Sequence, residues 1–198
     1  MPSVPVTVWF DYTCPHSYIG LARLDELASV VDIEVDRRPF LARPELIDEG
    51  YAPNPIQQQE VPLESRRRPL YKPGESIGTE PASNRSLSTL LVHAATAYAK
   101  ELGLDGRFFR AASKEYWEQG SDLGSLYTMR RLAGATGLDW ADLWPKLESG
   151  TYQESVLSQH QAAKAAGIAR APSFRANGAL HSGNISFEQL KAAVLRAR

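Results

Sequence analysis

The stretch Val4–Phe10, with the sequence VPVTVWF, constrains the fold more than any other part of the chain. It is apolar and rich in β-branched and aromatic residues, which predicts a strand buried on both faces. Pro15 suits the first position of a helix, and apolar side chains recur behind it at helical spacing as far as Val31. Residues 33–37 then alternate apolar and charged side chains. The first forty residues therefore predict a strand, a helix and a second strand.

The composition is that of a globular protein. Of the 198 residues 43% are hydrophobic, which is enough to bury a core, and the net charge of −1 argues against a general binder of nucleic acid or membrane surfaces. The N-terminus lacks the pattern of a signal peptide, and no apolar stretch is long enough to span a membrane. The single cysteine excludes an internal disulfide and fits a reducing compartment. We therefore expect a soluble, cytoplasmic protein.

Beyond the second predicted strand the pattern changes twice. Eight of the thirteen prolines lie in residues 39–81, which rules out long regular elements there and predicts an extended connection over residues 41–85. Residues 86–167 carry apolar stripes at helical spacing that end at glycines, which predicts a helical insertion. The sequence Thr151-Tyr-Gln-Glu154 predicts a capping box that opens the last of these helices.

The C-terminal part of the chain returns to strands. Two short strands are predicted over Ser173–Ala176 and Ala179–Ser182, with Asn177-Gly178 as the hairpin turn between them. Ser186-Phe-Glu-Gln189 predicts a second capping box, which opens a C-terminal helix. The whole chain is thus of the α/β class, ordered as strand–helix–strand, helical insertion, and strand–strand–helix.

Cys14 lies where the first predicted strand ends and the first helix begins. Backbone N–H groups without partners and the positive end of the helix dipole meet there, and both lower the pKa of a thiol below its free value of about 8.5. A protonated His16 would act in the same direction. The thiolate is the nucleophilic form of sulfur, so we predict a reactive Cys14 that is tuned by His16.

Ser17 stands where most thiol–disulfide enzymes carry a second cysteine. A second thiol resolves a mixed disulfide internally, and a hydroxyl group cannot. At the first helical turn, however, a hydroxyl can donate a hydrogen bond to the neighbouring sulfur anion. The predicted site is therefore monothiol, with Ser17 either as a catalytic hydrogen-bond donor or as an ordinary residue of the helix start.

The loop Cys14-Pro15-His16-Ser17 resembles the Cys-Pro-His-Cys loop of DsbA-type thiol–disulfide oxidoreductases. Four neighbouring residues resemble the intracellular FrnE-like branch of that family: Asp11, Tyr18, Ile19 and Gly20. The same stretch is similar to kappa-class glutathione transferases and 2-hydroxychromene-2-carboxylate isomerases, which carry Ser-Pro-Tyr-Ser there. Near the C-terminus, Ala171-Pro172-Ser173-Phe174 resembles the family's Val-Pro-Thr-Phe segment, with Ala171 in place of the usual Val or Thr.

The resemblance implies a thioredoxin-like fold with a large helical insertion between its βαβ and ββα halves. Residues 1–40 and 168–198 would form the thioredoxin-like domain, residues 41–85 the proline-rich connection and residues 86–167 the insertion domain. It also implies that Pro172 is a cis proline facing the Cys14 sulfur. Three residues would contact the substrate beside it: Pro15, Ala171 and Ser173.

The remaining candidates receive structural roles. Asp11 is predicted to form local hydrogen bonds, because a bare carboxylate would raise the pKa of the nearby thiol. Three histidines have no metal-ligand spacing and are predicted to be surface or packed residues: His93, His160 and His181. The arginines at 66–68 predict a solvated loop, or a loop that closes over the site and binds an anionic ligand such as a glutathione carboxylate. Asn84 resembles a helix-capping residue of the FrnE-like branch.

Three functions remain open at this point. The first is a cytosolic DsbA-like oxidoreductase that uses Cys14 as a monothiol toward a thiol or disulfide substrate. The second is a glutathione-dependent transferase or isomerase, in which the loop stabilises the thiolate of bound glutathione. The third is a non-catalytic thioredoxin-like module that has kept a peptide-binding cleft. No tightly bound cofactor is expected; glutathione or another small thiol would be a co-substrate, and relatives often form homodimers.

Overall fold

The computed structural model describes residues 3–49, 52–53 and 85–196. The strands and helices are, in chain order, β1 (Val4–Phe10), α1 (Pro15–Ala28), β2 (Ile33–Pro39), α2 (Leu46–Glu49), β3 (Ala52–Pro53), β4 (Arg85–Ser86), α3 (Leu90–Glu101), α4 (Asp105–Gln119), α5 (Leu126–Thr136), α6 (Trp140–Glu148), α7 (Thr151–Ala165), β5 (Ser173–Ala176), β6 (Ala179–Ser182) and α8 (Phe187–Leu195). This sequence of elements confirms the predicted order. Among the described helices, none combines the length and the apolar character needed to cross a membrane.

The main sheet joins the two ends of the chain. Its strand order is β2-β1-β5-β6, so that β1 lies between a parallel neighbour and an antiparallel one. Val4 pairs with Ile33 at one end of β1, and Trp9 pairs with Ser173 near the other. Because β1 and β5 are adjacent, the loop that follows β1 and the loop that precedes β5 open at the same edge of the sheet.

Strand β1 is buried on both faces near its C-terminal end, as its composition predicted. Phe10 belongs to the main hydrophobic core, which also contains the buried leucines of α1 and the aromatic side chains of α4. Trp9 points to the opposite face and packs in a smaller cluster with Phe40 and Ile168. Because β1 packs on both faces, it fixes the position of the loop that follows it.

Pro15 begins α1 as predicted, and glycines end two helices of the insertion as predicted. Pro15 is the first residue of α1, and Asp139 caps α6 by accepting a hydrogen bond from the backbone N–H of Ala141. Gly120 and Gly137 end α4 and α5 with φ values of 69° and 87°, a left-handed backbone that glycine adopts at low cost.

Of the two predicted capping boxes, one is confirmed and one is wrong. Ser186 and Gln189 form the reciprocal pair of hydrogen bonds at the start of α8. At the start of α7 the N-cap is Gly150 with φ 76°, and no side chain caps the helix. Thr151 is already helical there, so its hydroxyl group cannot take the N-cap position and lies 3.1 Å from the hydroxyl of Ser149 instead.

The predicted hairpin turn is present, and the described parts of the connection contain only short elements. Asn177 and Gly178 have φ values of 49° and 78°, which is the two-residue turn predicted between β5 and β6. The connection contains only the short elements α2, β3 and β4 in its described parts. The arginines at 66–68 and Asn84 lie outside the described residues, and the division into domains at residues 40, 85 and 167 stays a prediction.

Gly20 lies where α1 approaches β5 most closely. A Cβ atom there would lie 2.9 Å from Cζ of Phe174 and 3.7 Å from Cγ of Pro172. The Phe174 ring is fully buried, so either the ring or the helix would have to shift. We expect Gly20→Ala to lower the free energy of unfolding by about 1–3 kcal/mol, which is the usual cost of overpacking a core. Urea unfolding measures the change.

Gly134→Ala is the matched control for that substitution. Gly134 lies inside α5, and a Cβ atom there would meet nothing within 4 Å. Alanine at an exposed helical position stabilises by about 1 kcal/mol relative to glycine. The two variants should therefore shift the urea midpoint in opposite directions; equal shifts would contradict the close packing of α1 against β5.

Candidate active site

The loop between β1 and α1 holds Cys14 at the N-cap position of α1. Its backbone is extended, with φ −88° and ψ 115°, and its carbonyl accepts hydrogen bonds from the N–H groups of Ser17 and Tyr18 at 3.0 and 3.1 Å. The N–H of Cys14 donates to the Asp11 carbonyl at 3.2 Å, which closes the turn before the helix. Cys14 is a free thiol and is partly exposed. The residue is thus held at the helix start with part of its surface open to solvent.

The segment before β5 meets this sulfur. The Cys14 thiol donates to the Ala171 carbonyl, with the two heavy atoms 3.4 Å apart. The peptide bond between Ala171 and Pro172 is cis, and the Pro172 carbonyl accepts a hydrogen bond from the N–H of Gly183 at 2.8 Å. Two segments 157 positions apart in the chain are therefore brought together around one sulfur atom.

Ser17 points inward at the start of α1. Its side chain is buried, and its hydroxyl oxygen accepts a hydrogen bond from the N–H of Asp11 at 3.3 Å. The same hydroxyl group acts on the Cys14 thiol as a hydrogen-bond donor that lowers its pKa. The Ser17 oxygen therefore accepts the hydrogen bond from Asp11, and its proton is available to donate toward the Cys14 sulfur.

The expected low pKa of Cys14 is not found. Burial raises the pKa of the Cys14 thiol above its ordinary value, and the negative charge of Asp11 adds to the rise. Hydrogen bonds to the sulfur from the Ser17 hydroxyl and from the N–H groups of Ser17 and His16 act in the opposite direction without overcoming burial. The prediction was wrong because it considered only the effect of the helix start on the thiol pKa. It did not include the burial of Cys14, which depends on the tertiary structure.

A titration of Cys14 would test this correction. We expect the rate of alkylation by iodoacetamide to reach its half-maximum above pH 8.5, the ordinary value for a thiol. Ser17→Ala removes a hydrogen bond that favours the thiolate, so its midpoint should lie still higher. Because the chain has one cysteine, the whole rate reports on Cys14. A midpoint below 8, or a lower one in Ser17→Ala, would contradict the described surroundings of the sulfur.

The other residues predicted to contact substrate have different surroundings. Pro15 and Ala171 are partly exposed beside Cys14, whereas Ser173 is fully buried in β5. The Ser173 hydroxyl donates to the Arg170 carbonyl at 2.8 Å and lies 2.7 Å from the Ser182 hydroxyl. These hydrogen bonds join β5 to β6 and to the loop before β5, and the contact of Ser173 with substrate stays a prediction.

Sequence reasoning missed a residue that supports the Pro172 segment. Arg23 of α1 is buried, and its guanidinium donates to Oδ1 of Asn184 at 2.8 Å and to the Ile185 carbonyl at 2.6 Å. Those residues directly follow Gly183, which bonds to Pro172. No local pattern could have linked Arg23 to a segment about 160 positions away.

Two of the three histidines that were predicted to be surface or packed residues are packed. His93 and His160 are buried, and within the described ranges no cluster of histidine, cysteine and acidic side chains is arranged to hold a metal ion. His93 packs against the rings of Phe10 and Tyr12, with centroid distances of 5.0 and 5.1 Å. Burial lowers the pKa of His93 to about 4, so its imidazole is neutral at pH 7.

A mixed sheet of order β2-β1-β5-β6, with a cysteine at the start of the helix that follows β1, is the arrangement of the thioredoxin class of folds. A family model for the DSBA-like thioredoxin domain matches residues 5–195, and the chain belongs to this family. The predicted resemblance to DsbA-type proteins and the thioredoxin-like fold class are therefore confirmed.

Individual relatives agree with the family assignment. The chain is 28% identical to protein YwbO of Bacillus subtilis (strain 168) over 155 residues, which are 77% of this chain and 76% of YwbO. Its fold is similar to that of a probable DsbA oxidoreductase, SCO1869 from Streptomyces coelicolor, with a TM-score of 0.80 and 20% identity. That comparison covers 98% of this chain and 89% of the other.

Two further structures carry different activities on the same fold. A 2-hydroxychromene-2-carboxylate isomerase matches with a TM-score of 0.72 and 17% identity over 98% of this chain and 95% of the other. The cytosolic disulfide reductase DsbM from Pseudomonas aeruginosa, in a structure with GSH, matches with a TM-score of 0.70 and 13% identity over 98% and 94%. At such identities the likeness extends to the fold alone.

Proposed function

We propose that this DsbA-like protein is a monothiol oxidoreductase that exchanges disulfides through Cys14. The observation that carries the proposal is the contact between the sulfur of the partly exposed residue Cys14 and the Ala171 carbonyl, 3.4 Å apart. An extended thiol substrate that pairs with the backbone of Ala171 would bring its own sulfur next to Cys14. The chain has no other cysteine to complete the exchange.

The reaction takes place in two exchanges. Cys14 loses its proton and attacks one sulfur of a disulfide R–S–S–R, which forms Cys14–S–S–R and releases R–S⁻; the released thiolate takes up a proton. A small thiol R′–SH, such as glutathione, then attacks the mixed disulfide, leaves as R–S–S–R′, and returns the thiol to Cys14. One disulfide is consumed and one is formed, so no further oxidant or reductant is required.

Ser17 supports the first exchange without taking part in the second. Its hydroxyl is within hydrogen-bonding reach of the sulfur and stabilises the charge that develops when the thiol ionises. It cannot attack the mixed disulfide, so an external thiol must clear the site. This requirement favours a compartment rich in small thiols, and we propose the cytoplasm, where the structurally similar DsbM is also found.

A glutathione-dependent transferase or isomerase is the second candidate, and the raised pKa of Cys14 favours it. A thiol that stays protonated can donate a hydrogen bond to the thiolate of a bound glutathione, as the serine of the isomerase-type loop would. In that reaction Cys14 forms no covalent bond. Similarity in fold to the 2-hydroxychromene-2-carboxylate isomerase is compatible with this function.

Oxidised glutathione separates the two candidates. We expect intact-mass measurement after incubation with it to find one glutathione per chain, removed again by reduced glutathione. Cys14→Ser is the control and should give no adduct. If the wild-type protein forms no adduct while both proteins bind reduced glutathione in calorimetry, the oxidoreductase proposal is wrong and the second candidate is favoured.

A further inference from the structure

Two arginines flank the buried ring of Trp9 on the face of the sheet opposite the main core. Trp9 lies on β1, and 3% of its surface is exposed. Arg38 comes from β2 and Arg175 from β5, the strands on either side of β1. Their guanidinium carbons lie 5.8 and 5.0 Å from the centre of the Trp9 ring. Two positive charges are therefore held beside one indole ring.

A cavity of about 130 Å³ opens between these side chains and α7. Trp9, Arg38 and Arg175 line it from the sheet, and Gln159 lines it from the helix together with alanines at the end of α7. Among the described residues that line the cavity, none is acidic. Its volume is several times that of a water molecule in the liquid, about 30 Å³, so it admits an ion of several heavy atoms.

The hydrogen-bond donors of both guanidinium groups are available at this cavity. Arg175 lies over the Trp9 ring, and no described residue accepts a hydrogen bond from its guanidinium. A guanidinium group that stacks on an aromatic ring keeps its N–H groups in its own plane, where they can still reach a ligand. Arg38 donates from Nε to Oδ2 of Asp36 at 2.7 Å, which leaves its terminal N–H groups for another acceptor.

The ion pairs around the cavity do not balance its charge. Asp36 pairs with Arg38 through one oxygen and with the ammonium group of Lys100 through the other. Arg175 has no ion pair among the described residues. Three cations thus share one carboxylate within ion-pair distance. Neighbouring guanidinium groups repel each other unless an anion lies near them, so the cavity favours an anionic ligand.

We propose that this cavity binds a phosphate group, whose oxygen atoms the guanidinium groups of Arg38 and Arg175 hold beside the Trp9 ring. The planar fork of a guanidinium group matches the oxygens of phosphate, and the charge strengthens each hydrogen bond. Cys14 is not among the residues that line the cavity. The inference therefore goes beyond the proposed thiol chemistry and does not depend on it.

A fluorescence titration with inorganic phosphate at pH 7.5 tests the proposal, with sodium chloride holding the ionic strength constant. Phosphate should change the tryptophan emission in a saturable manner, and sodium chloride alone should not. In Trp9→Phe the change should disappear, because none of the other three tryptophans lines the cavity. Calorimetry should find that Arg175→Gln and Arg38→Gln each raise the dissociation constant of phosphate about tenfold or more.

Arg130→Gln is the matched control. Arg130 is exposed on α5 and does not line the cavity, so this variant loses the same charge elsewhere and should bind phosphate like the wild type. Circular dichroism checks that each variant is folded. An emission change that persists in Trp9→Phe, or equal weakening in Arg130→Gln and Arg175→Gln, overturns the proposal.

Glycerol 3-phosphate distinguishes the two sources of a phosphate group. If the wild-type protein binds it as tightly as inorganic phosphate or more tightly, the site takes a phosphate ester; if it binds more weakly, the site takes free phosphate. Either result supports the proposal. If calorimetry finds saturable binding of neither compound to the wild-type protein, the proposal is wrong, whatever the folding of the arginine variants.

Discussion

Ser17→Cys should convert the monothiol loop into one that resolves its own mixed disulfide. Position 17 lies one helical turn after Cys14, and the Ser17 hydroxyl is near enough to the sulfur to lower the pKa of the thiol. A thiol there can attack Cys14–S–S–R, release R–SH and close an internal disulfide. We expect the fraction of chains that carry glutathione after incubation with oxidised glutathione to fall about tenfold or more. The main species should instead be lighter than the reduced chain by two hydrogen atoms.

Ser17→Ala is the control for that experiment. It also lacks the hydroxyl group, but it has no second sulfur, so the glutathione adduct should accumulate and persist as in the wild-type chain. Intact mass spectrometry follows all three proteins under the same conditions. A Ser17→Cys protein that keeps the adduct at the wild-type level would mean that the two positions do not face each other as the structure describes.

The stability of the protein should fall in mild acid because of His93. In the folded chain burial lowers the pKa of His93 to about 4, whereas in the unfolded chain it has its ordinary value near 6.5. Above pH 6.5 neither state binds the proton. As the pH falls from 6.5 to 4, only the unfolded chain binds it, so the free energy of unfolding drops by on the order of 3 kcal/mol.

Urea unfolding at pH 7 and pH 4.5 measures that loss, and His93→Phe is the control. Phenylalanine fills a similar volume between the rings of Phe10 and Tyr12 and cannot be protonated. Its stability should depend less steeply on pH over this range, with the remaining slope coming from groups such as His160, whose pKa burial also lowers. An equally steep dependence in His93→Phe would show that another group causes the loss.

Much of the fold followed from local patterns. The apolar run of β1, the proline at the start of α1, and the turn at Asn177-Gly178 each depend on backbone preferences of a few neighbouring residues. The false capping box at Thr151 marks the limit of this approach. Its pattern was correct, but Gly150 in the left-handed region took the N-cap position because α6 ends immediately before it.

The sequence predicted which residues form the candidate site, but it did not predict the direction in which the pKa of Cys14 is shifted. The sequence pointed to Cys14, Ser17 and Pro172. In the structure the N–H of Ser17 donates to the Cys14 carbonyl, and the Cys14 thiol donates to the carbonyl of Ala171, directly before Pro172. The sequence did not reveal that Thr89 and Ala42 donate hydrogen bonds to the Asp11 carboxylate, because these residues lie 78 and 31 positions away from Asp11. Their positions beside Asp11 depend on how the helical insertion and the segment after β2 pack against the sheet.

The sequence by itself determined where the strands and helices form, that a lone cysteine begins α1, and to which family the chain is similar. These depend on spacing and backbone geometry over a few residues. Only the tertiary structure decided the charge on that cysteine, because the pKa of a thiol depends on every atom that surrounds the sulfur. Here burial raises the pKa of the Cys14 thiol, the charge of Asp11 adds to the rise, and together they outweigh the hydrogen bonds of the helix start.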